Sequence, residues 1–129
     1  MGLDKRNGMT RLQLVRAWLK RLRDPKSKQA HGQLRLGKAY CCLGHGSVCM
    51  GRELPAHKSI HGVSDDDDTT LFNTSERLLN PDRRWLSITL NEEEHLIQLN
   101  DKYEKSLPEI ADYIQYVLLP RLRVRWNRE

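Results

Sequence analysis

Between Thr10 and Asp24-Pro25 the apolar residues Leu12, Val15, Trp18, Leu19 and Leu22 recur every three or four positions, the period of one face of an α-helix. Thr10 is a suitable N-cap and Pro25 a stop, so the segment predicts an amphipathic N-terminal helix that has to bury its apolar face. Arg11, Arg16, Lys20, Arg21 and Arg23 fall largely elsewhere on that helix and give it a cationic surface. The rest of the chain must supply the layer it packs on. At 129 residues there is room for one modest core and not for two, so residues 1–129 are expected to form a single domain. Residues 1–8, with Gly2 and Gly8 at either side of a charged stretch, read as frayed.

After the Pro25–Lys28 break, Gln33–Leu36 and Ala39–Leu43 flank Gly37-Lys38, a two-residue connection that suits a β-hairpin carrying Cys41 and Cys42. Gly44 and Gly46 permit a sharp change of direction. Residues 51–75 show no strong periodicity, and the run Asp65–Asp68 marks 62–75 as an exposed acidic loop. Asn80-Pro81-Asp82 is a helix start, whereas Leu86–Leu90 alternates like a strand, and both readings stay open. Asn91 with Glu94, and Ser106 with Glu109, have the spacing of helix capping pairs. The second of these helices presents Ile110, Ala111, Ile114 and Leu118 on one stripe, and Pro120 is read as its end. Beyond it Arg121, Arg123 and Arg125 alternate with Leu122, Val124 and Trp126, which predicts a basic terminal strand. The expected class is α+β: an N-terminal helix, a central hairpin bearing the cysteines, two C-terminal helices and that strand.

A hydrophobic content of 38% with 30% charged residues fits a polar globular chain. No run approaches the roughly 18 apolar residues of a membrane helix, and the amino terminus lacks a signal-peptide core, so a cytosolic protein is expected. Three cysteines without an export signal point to reduced thiols. The net charge of +5 is unevenly spread: residues 1–38 hold 11 Lys/Arg against 2 Asp/Glu, residues 39–120 hold 7 against 14, and residues 121–129 hold 4 against 1. Two basic ends around an acidic middle either neutralise each other internally or present an anion-seeking face.

The cysteines admit three readings. Cys41, Cys42 and Cys49 lie near His45, His57 and His61 in sequence; Cys42-x-x-His45 and His57-x-x-x-His61 have chelating spacings, although the cysteines lack the tight loop of structural zinc sites. A helix starting near Leu43, with Arg35, Lys38 and Arg52, would lower a thiol pKa and activate Cys41 or Cys42 as a nucleophile, with Gln29 or Gln33 donating to an oxyanion. The third reading is that the thiols pack as small apolar groups, and it is the one carried forward, with no cofactor and no catalytic residue assigned. Binding is assigned instead to the basic ends. Arg121, Arg123 and Arg125 beside Trp126, together with Arg16, Lys20 and Arg23, would track phosphates or meet an acidic protein.

A further set of motifs carries a resemblance: Trp18 to Arg23, Lys28-Gln29, Gly32-x-Leu34-Arg35, Tyr40-Cys41-Cys42-Leu43-Gly44, Cys49, Leu99-Asn100-Asp101, and Glu109 through Ile114. Together, over roughly residues 18–115, these resemble a family of small uncharacterised proteins carried by tailed phages and prophages. The resemblance implies an apolar helix after Cys-Cys-Leu-Gly running through Cys49, and His45-Gly46-Ser47 departs from the pattern there. It also implies a phage accessory protein in the cytoplasm of a bacterial host. The function expected from that setting is binding and inhibition of a host or anti-phage defence component, in the manner of an anti-CRISPR protein, more a binder than an enzyme. The alternatives are a small nucleic-acid-binding module and a zinc- or thiol-dependent enzyme.

Overall fold

The computed structural model describes residues 5–54 and 77–129. His57, His61 and the acidic run Asp65–Asp68 lie outside the described residues. The N-terminal helix α1 spans Arg11–Arg23, with the Thr10 side chain accepting from the Gln13 amide and Gln13 answering the Thr10 amide. Leu14, Val15, Trp18, Leu19 and Leu22 form its buried stripe, while Leu12 at its edge is only partly covered. Burying a leucine-sized side chain contributes about 1.5–3 kcal/mol, so this stripe is what fastens α1 to the rest. Lys5–Gly8, within the stretch read as frayed, are part of a tight turn closed by paired bonds between Arg6 and Met9, and the Asn7 amide donates to the Cys49 carbonyl.

Strands β1 (Arg35–Leu36) and β2 (Ala39–Tyr40) make the antiparallel hairpin, with Arg35 opposite Tyr40 and Gly37 at φ 62° in its turn. Lys28–Ala30 run along its edge, bonded to Tyr40 through both of that residue's backbone groups. The hairpin ends at Tyr40 and hands the chain to helix α2 (Cys42–Cys49), so the cysteines belong to a helix and not to the hairpin. The reason is local. Cys41 caps α2 with its sulfur, accepting from the Gly44 amide at 3.3 Å, and its own amide is taken by the Leu34 carbonyl. A Cβ on Gly44 would collide with that same Leu34 carbonyl, so only glycine lets the helix start this close to the hairpin.

Helix α3 (Asn80–Leu86) opens on Pro81 and is stopped by Ser87 at φ 66°, which resolves the helix-or-strand ambiguity there in favour of a helix. Helix α4 (Leu90–Asp101) is capped by Thr89 with Glu92, two residues before the expected Asn91–Glu94 pair. Ser106 and Glu109 cap α5 (Leu107–Tyr113) as expected. The basic terminal strand is a helix. From α5 the chain continues through a π-turn (Ile114–Leu118) into α6 (Leu119–Asn127), so Pro120 sits at the start of a new helical segment and does not end the structure. A helical period places Leu118 and Leu122 on one buried stripe, whereas a strand over the same residues would have no neighbour to pair with among the described residues.

The core joins α1, α2, α4, α5 and the π-turn, with α1 packed on α2 and α5. Trp18 lies fully buried at its centre and donates its indole N–H to the Cys42 carbonyl at 2.9 Å. The class is α+β, with the helices dominant. Among the described residues no helix is long and apolar enough to cross a membrane.

One buried polar group ties these elements together. Asn100, 1% exposed, accepts from the Cys42 amide at 3.1 Å and from the Gln29 side chain at 2.9 Å, and donates to the Ala30 carbonyl at 2.9 Å and to Asp101 at 2.7 Å. Asn100→Ala strands the Cys42 amide and the Ala30 carbonyl away from water. We expect a loss of about 3 kcal/mol in urea unfolding, against less than about 0.5 kcal/mol for the exposed Asn127→Ala.

Candidate functional site

Burial sets the chemistry of Cys42, Cys49 and His45. Cys42 is fully buried and donates its thiol to the Leu96 carbonyl at 3.6 Å; burial drives its pKa well upward, and the neighbouring Cys41 and Asp101 add to that. Burial raises the Cys49 pKa too, with Arg21 opposing. An activated thiolate needs the opposite environment, so neither sulfur is set up as a nucleophile. Cys41 spends its sulfur on the α2 cap.

His45 is 1% exposed and both ring nitrogens are engaged. Nδ1 accepts from Arg21 Nε at 2.8 Å, which leaves Nε2 to donate to the Lys28 carbonyl at 2.9 Å. Burial holds its pKa down at about 4; the Lys28 bond resists that and the Arg21 charge adds to it. The ring therefore stays neutral and works as a strut between α1, α2 and the hairpin edge. Among the described residues no three of His, Cys, Asp and Glu are grouped to hold a metal ion.

The basic ends divide into two sets. Arg125 and Trp126 anchor α6. The Arg125 guanidinium meets both oxygens of Glu92 at 2.6 and 2.7 Å and also donates to the Ser87 carbonyl, while the Trp126 indole donates to the Leu86 carbonyl at 2.9 Å with Arg11 over its ring. Burial would raise the Glu92 pKa, but the Arg125 bonds and the Thr89 amide outweigh it and hold it at about 2. Arg121 lies 3.5 Å from Glu92 and lines a separate cleft of about 370 Å³ with His95 and Tyr113. These three residues, read as binders, are occupied within the fold or turned away from the other cations.

Arg16, Lys20, Arg23 and Arg123 do come together. They line one groove of about 560 Å³ between α1 and the π-turn–α6 segment, together with Leu19, Leu119, Pro120, Gln115 and Tyr116. On α1 the contributing positions 16, 19, 20 and 23 are a single helical face. Arg23 is paired with Asp112 at 2.8 Å at one end. Arg16, Lys20 and Arg123 make no ion pair among the described residues. Tyr116 is 69% exposed, a large ring held out at the groove's edge.

Sequence reasoning missed Gln115, Tyr116, Leu119 and Pro120 because Pro120 was taken as a terminus. The signal was available in the helical spacing of Tyr116, Leu119 and Arg123, which survives if the helix is read through the proline. Comparison of the chain with family models, curated proteins and solved structures finds no match in any of the three.

Three measurements check this account. An unfolded histidine titrates near 6.5 and His45 near 4, so the unfolded chain binds the extra proton and stability falls as pH drops through that window. From pH 7.5 to pH 5 the His45 contribution to that loss is about 2 kcal/mol. His45→Gln keeps an acceptor for Arg21 and a donor for Lys28 without titrating, so its stability should be flatter over this range; equal losses in both proteins refute the strut. The ring-carbon resonance of His45 should likewise show no inflection above pH 5. In the folded protein Cys42 should also resist iodoacetamide at neutral pH, becoming reactive only on unfolding.

Proposed function

We propose that this chain is a non-enzymatic binding protein whose contact surface is the cationic groove between α1 and α6. The observation that carries this reading is the convergence of Arg16, Lys20 and Arg23 with Arg123, about a hundred positions later, around one concavity with no acidic residue among its described lining residues. Arg23 is shared with Asp112, and the three remaining like charges repel each other, an arrangement that favours a negatively charged occupant. Elsewhere the same chain spends its arginines on its own carboxylates: Arg52 on Asp82, Arg77 on Glu93 and Glu94, Arg125 on Glu92. In the groove only Arg23 is paired in this way, with Asp112, and Arg16, Lys20 and Arg123 make no ion pair among the described residues. Thiols that are buried and suppressed support a binder over a thiol enzyme.

In the setting implied by the phage-like motifs, the protein acts in the cytoplasm of a bacterial host, and its occupant is an acidic surface of a host or defence-system protein, inhibited by being covered. The charge in the groove then speeds encounter and selects the partner.

The test is expression in a bacterium whose defence system restricts a phage. Wild-type protein should restore plating and copurify with a defence component in near-stoichiometric amount. The triple variant Arg16→Glu, Lys20→Glu, Arg123→Glu should do neither, while keeping its melting temperature because all three side chains are at the surface. A defence component captured equally well by the triple variant, or plating that is never restored, sinks the reading.

A further inference from the structure

We infer that the occupant of this groove is a short amphipathic helix of a partner protein, acidic on its flanks and apolar along the face that enters. The inference rests on the binding reading above and specifies its ligand.

Three features of the groove lead to it. First, its walls are two helices. Positions 16, 19, 20 and 23 of α1 face positions 115, 116, 119, 120 and 123 of the π-turn and α6. Rows of side chains three and four apart on two neighbouring helices leave between them the kind of channel into which a third helix packs. Second, part of the lining is apolar. Leu19, Leu119 and Pro120 belong to it, and an extended phosphate backbone would gain nothing from covering them, whereas leucine-like side chains at i, i+3, i+4 and i+7 of an incoming helix would. Third, the charges come from both helices, Arg16, Lys20 and Arg23 from α1 and Arg123 from α6. Carboxylates flanking the apolar stripe of the incoming helix would meet both walls.

The length follows from the same geometry. Arg16 to Arg23 advances about 10 Å along α1 at 1.5 Å per residue, so the groove holds about two turns of helix. Tyr116, exposed and part of the lining, can cover an incoming apolar side chain with its ring while its hydroxyl stays in water. Among the described residues no helix is free to fill it: in α4, the most acidic of them, Glu92 and Glu93 are buried against Arg125 and Arg77, and Glu94 is paired with Arg77.

The test uses the full chain and three fluorescent probes. One is a designed peptide of about 14 residues with leucines at i, i+3, i+4 and i+7 and glutamates on the flanks. The second has the same composition with the leucine spacing scrambled. The third is an oligo(dT) of about 12 nucleotides. The helical peptide should bind at least about tenfold more tightly than its scramble, with amide shifts in Leu19, Tyr116 and Leu119. Binding should weaken by a similar factor in Lys20→Glu, Arg123→Glu and in Tyr116→Ser. Equal affinity for both peptides, or no binding by either, overturns the helical occupant. Tighter binding of oligo(dT), lost in the charge variant and falling steeply with salt, overturns it in favour of a nucleic-acid track. If the triple charge variant still loses its defence component while the two peptides bind alike, the binding reading stands and only the helical occupant falls.

Discussion

The fold depends on a single side-chain amide. A buried asparagine offers two donors and two acceptor positions, and Asn100 uses all four, on the Cys42 amide, the Gln29 side chain, the Ala30 carbonyl and Asp101. Those partners come from the start of α2, the strand-like edge of the hairpin and the end of α4. Asp101 extends the same network to the Gly32 amide, and Gln29 extends it to the Lys105 carbonyl. In a low-dielectric interior a network of this kind is worth most when complete and costs most when broken, so it fixes one arrangement of the hairpin against α4. The sequence motifs that stand out in this chain, Lys-Gln, Gly-x-Leu-Arg, Tyr-Cys-Cys-Leu-Gly and Leu-Asn-Asp, are largely the members of this network and its immediate supports.

That fact separates the residues that hold the molecule together from those available for contact. Cys41 and Cys42 look reactive as a pair on paper, yet one caps a helix and the other lies against a carbonyl in the core. His45 looks like a ligand and acts as a brace. Asp82 and Glu93 are wholly buried and spend their charge on Arg52 and on Arg77 with the Leu78 amide. Removing one member of such a pair would leave the other charge buried without compensation, which is why these residues read as architecture.

Much of this architecture was legible in the sequence, and the exceptions have physical causes. The apolar spacing of α1, the turn at Gly37-Lys38, the start at Asn80-Pro81 and the cap at Ser106 depend on local chemistry, and each appears where local chemistry put it. The Asn91–Glu94 capping pair was displaced because Thr89 with Glu92 offers the same reciprocal bonds two residues earlier, where Ser87 has already turned the chain. The last nine residues were misread because three arginines alternating with three apolar residues satisfy a period of two as well as a helix with a mixed surface. Only tertiary contacts distinguish them: Arg125 and Trp126 both reach the α3–α4 corner, which a helix allows and an isolated strand would not stabilise. The groove inherited that error. Of the seven cations and aromatics assigned to binding, the four that meet are those whose place follows from helical geometry on both sides.

The π-turn before Pro120 closes through a bond from the Leu119 amide to the Ile114 carbonyl, five residues back, so it contains one residue more than an α-turn would. In a helix each residue advances the face by about 100°, and every side chain from Leu119 onward is therefore rotated by that amount relative to an unbroken helix. The rotation is what brings Arg123 to the groove beside α1 while Arg125 and Trp126 reach Leu86, Ser87 and Glu92. Lengthening or shortening this one turn by a residue would re-deal α6, exchanging anchors for groove-facing positions without altering a single side chain in it. The character of the surface is thus written partly in a count, and chains with the same terminal motif but a different residue number between Tyr113 and Pro120 would present a different face.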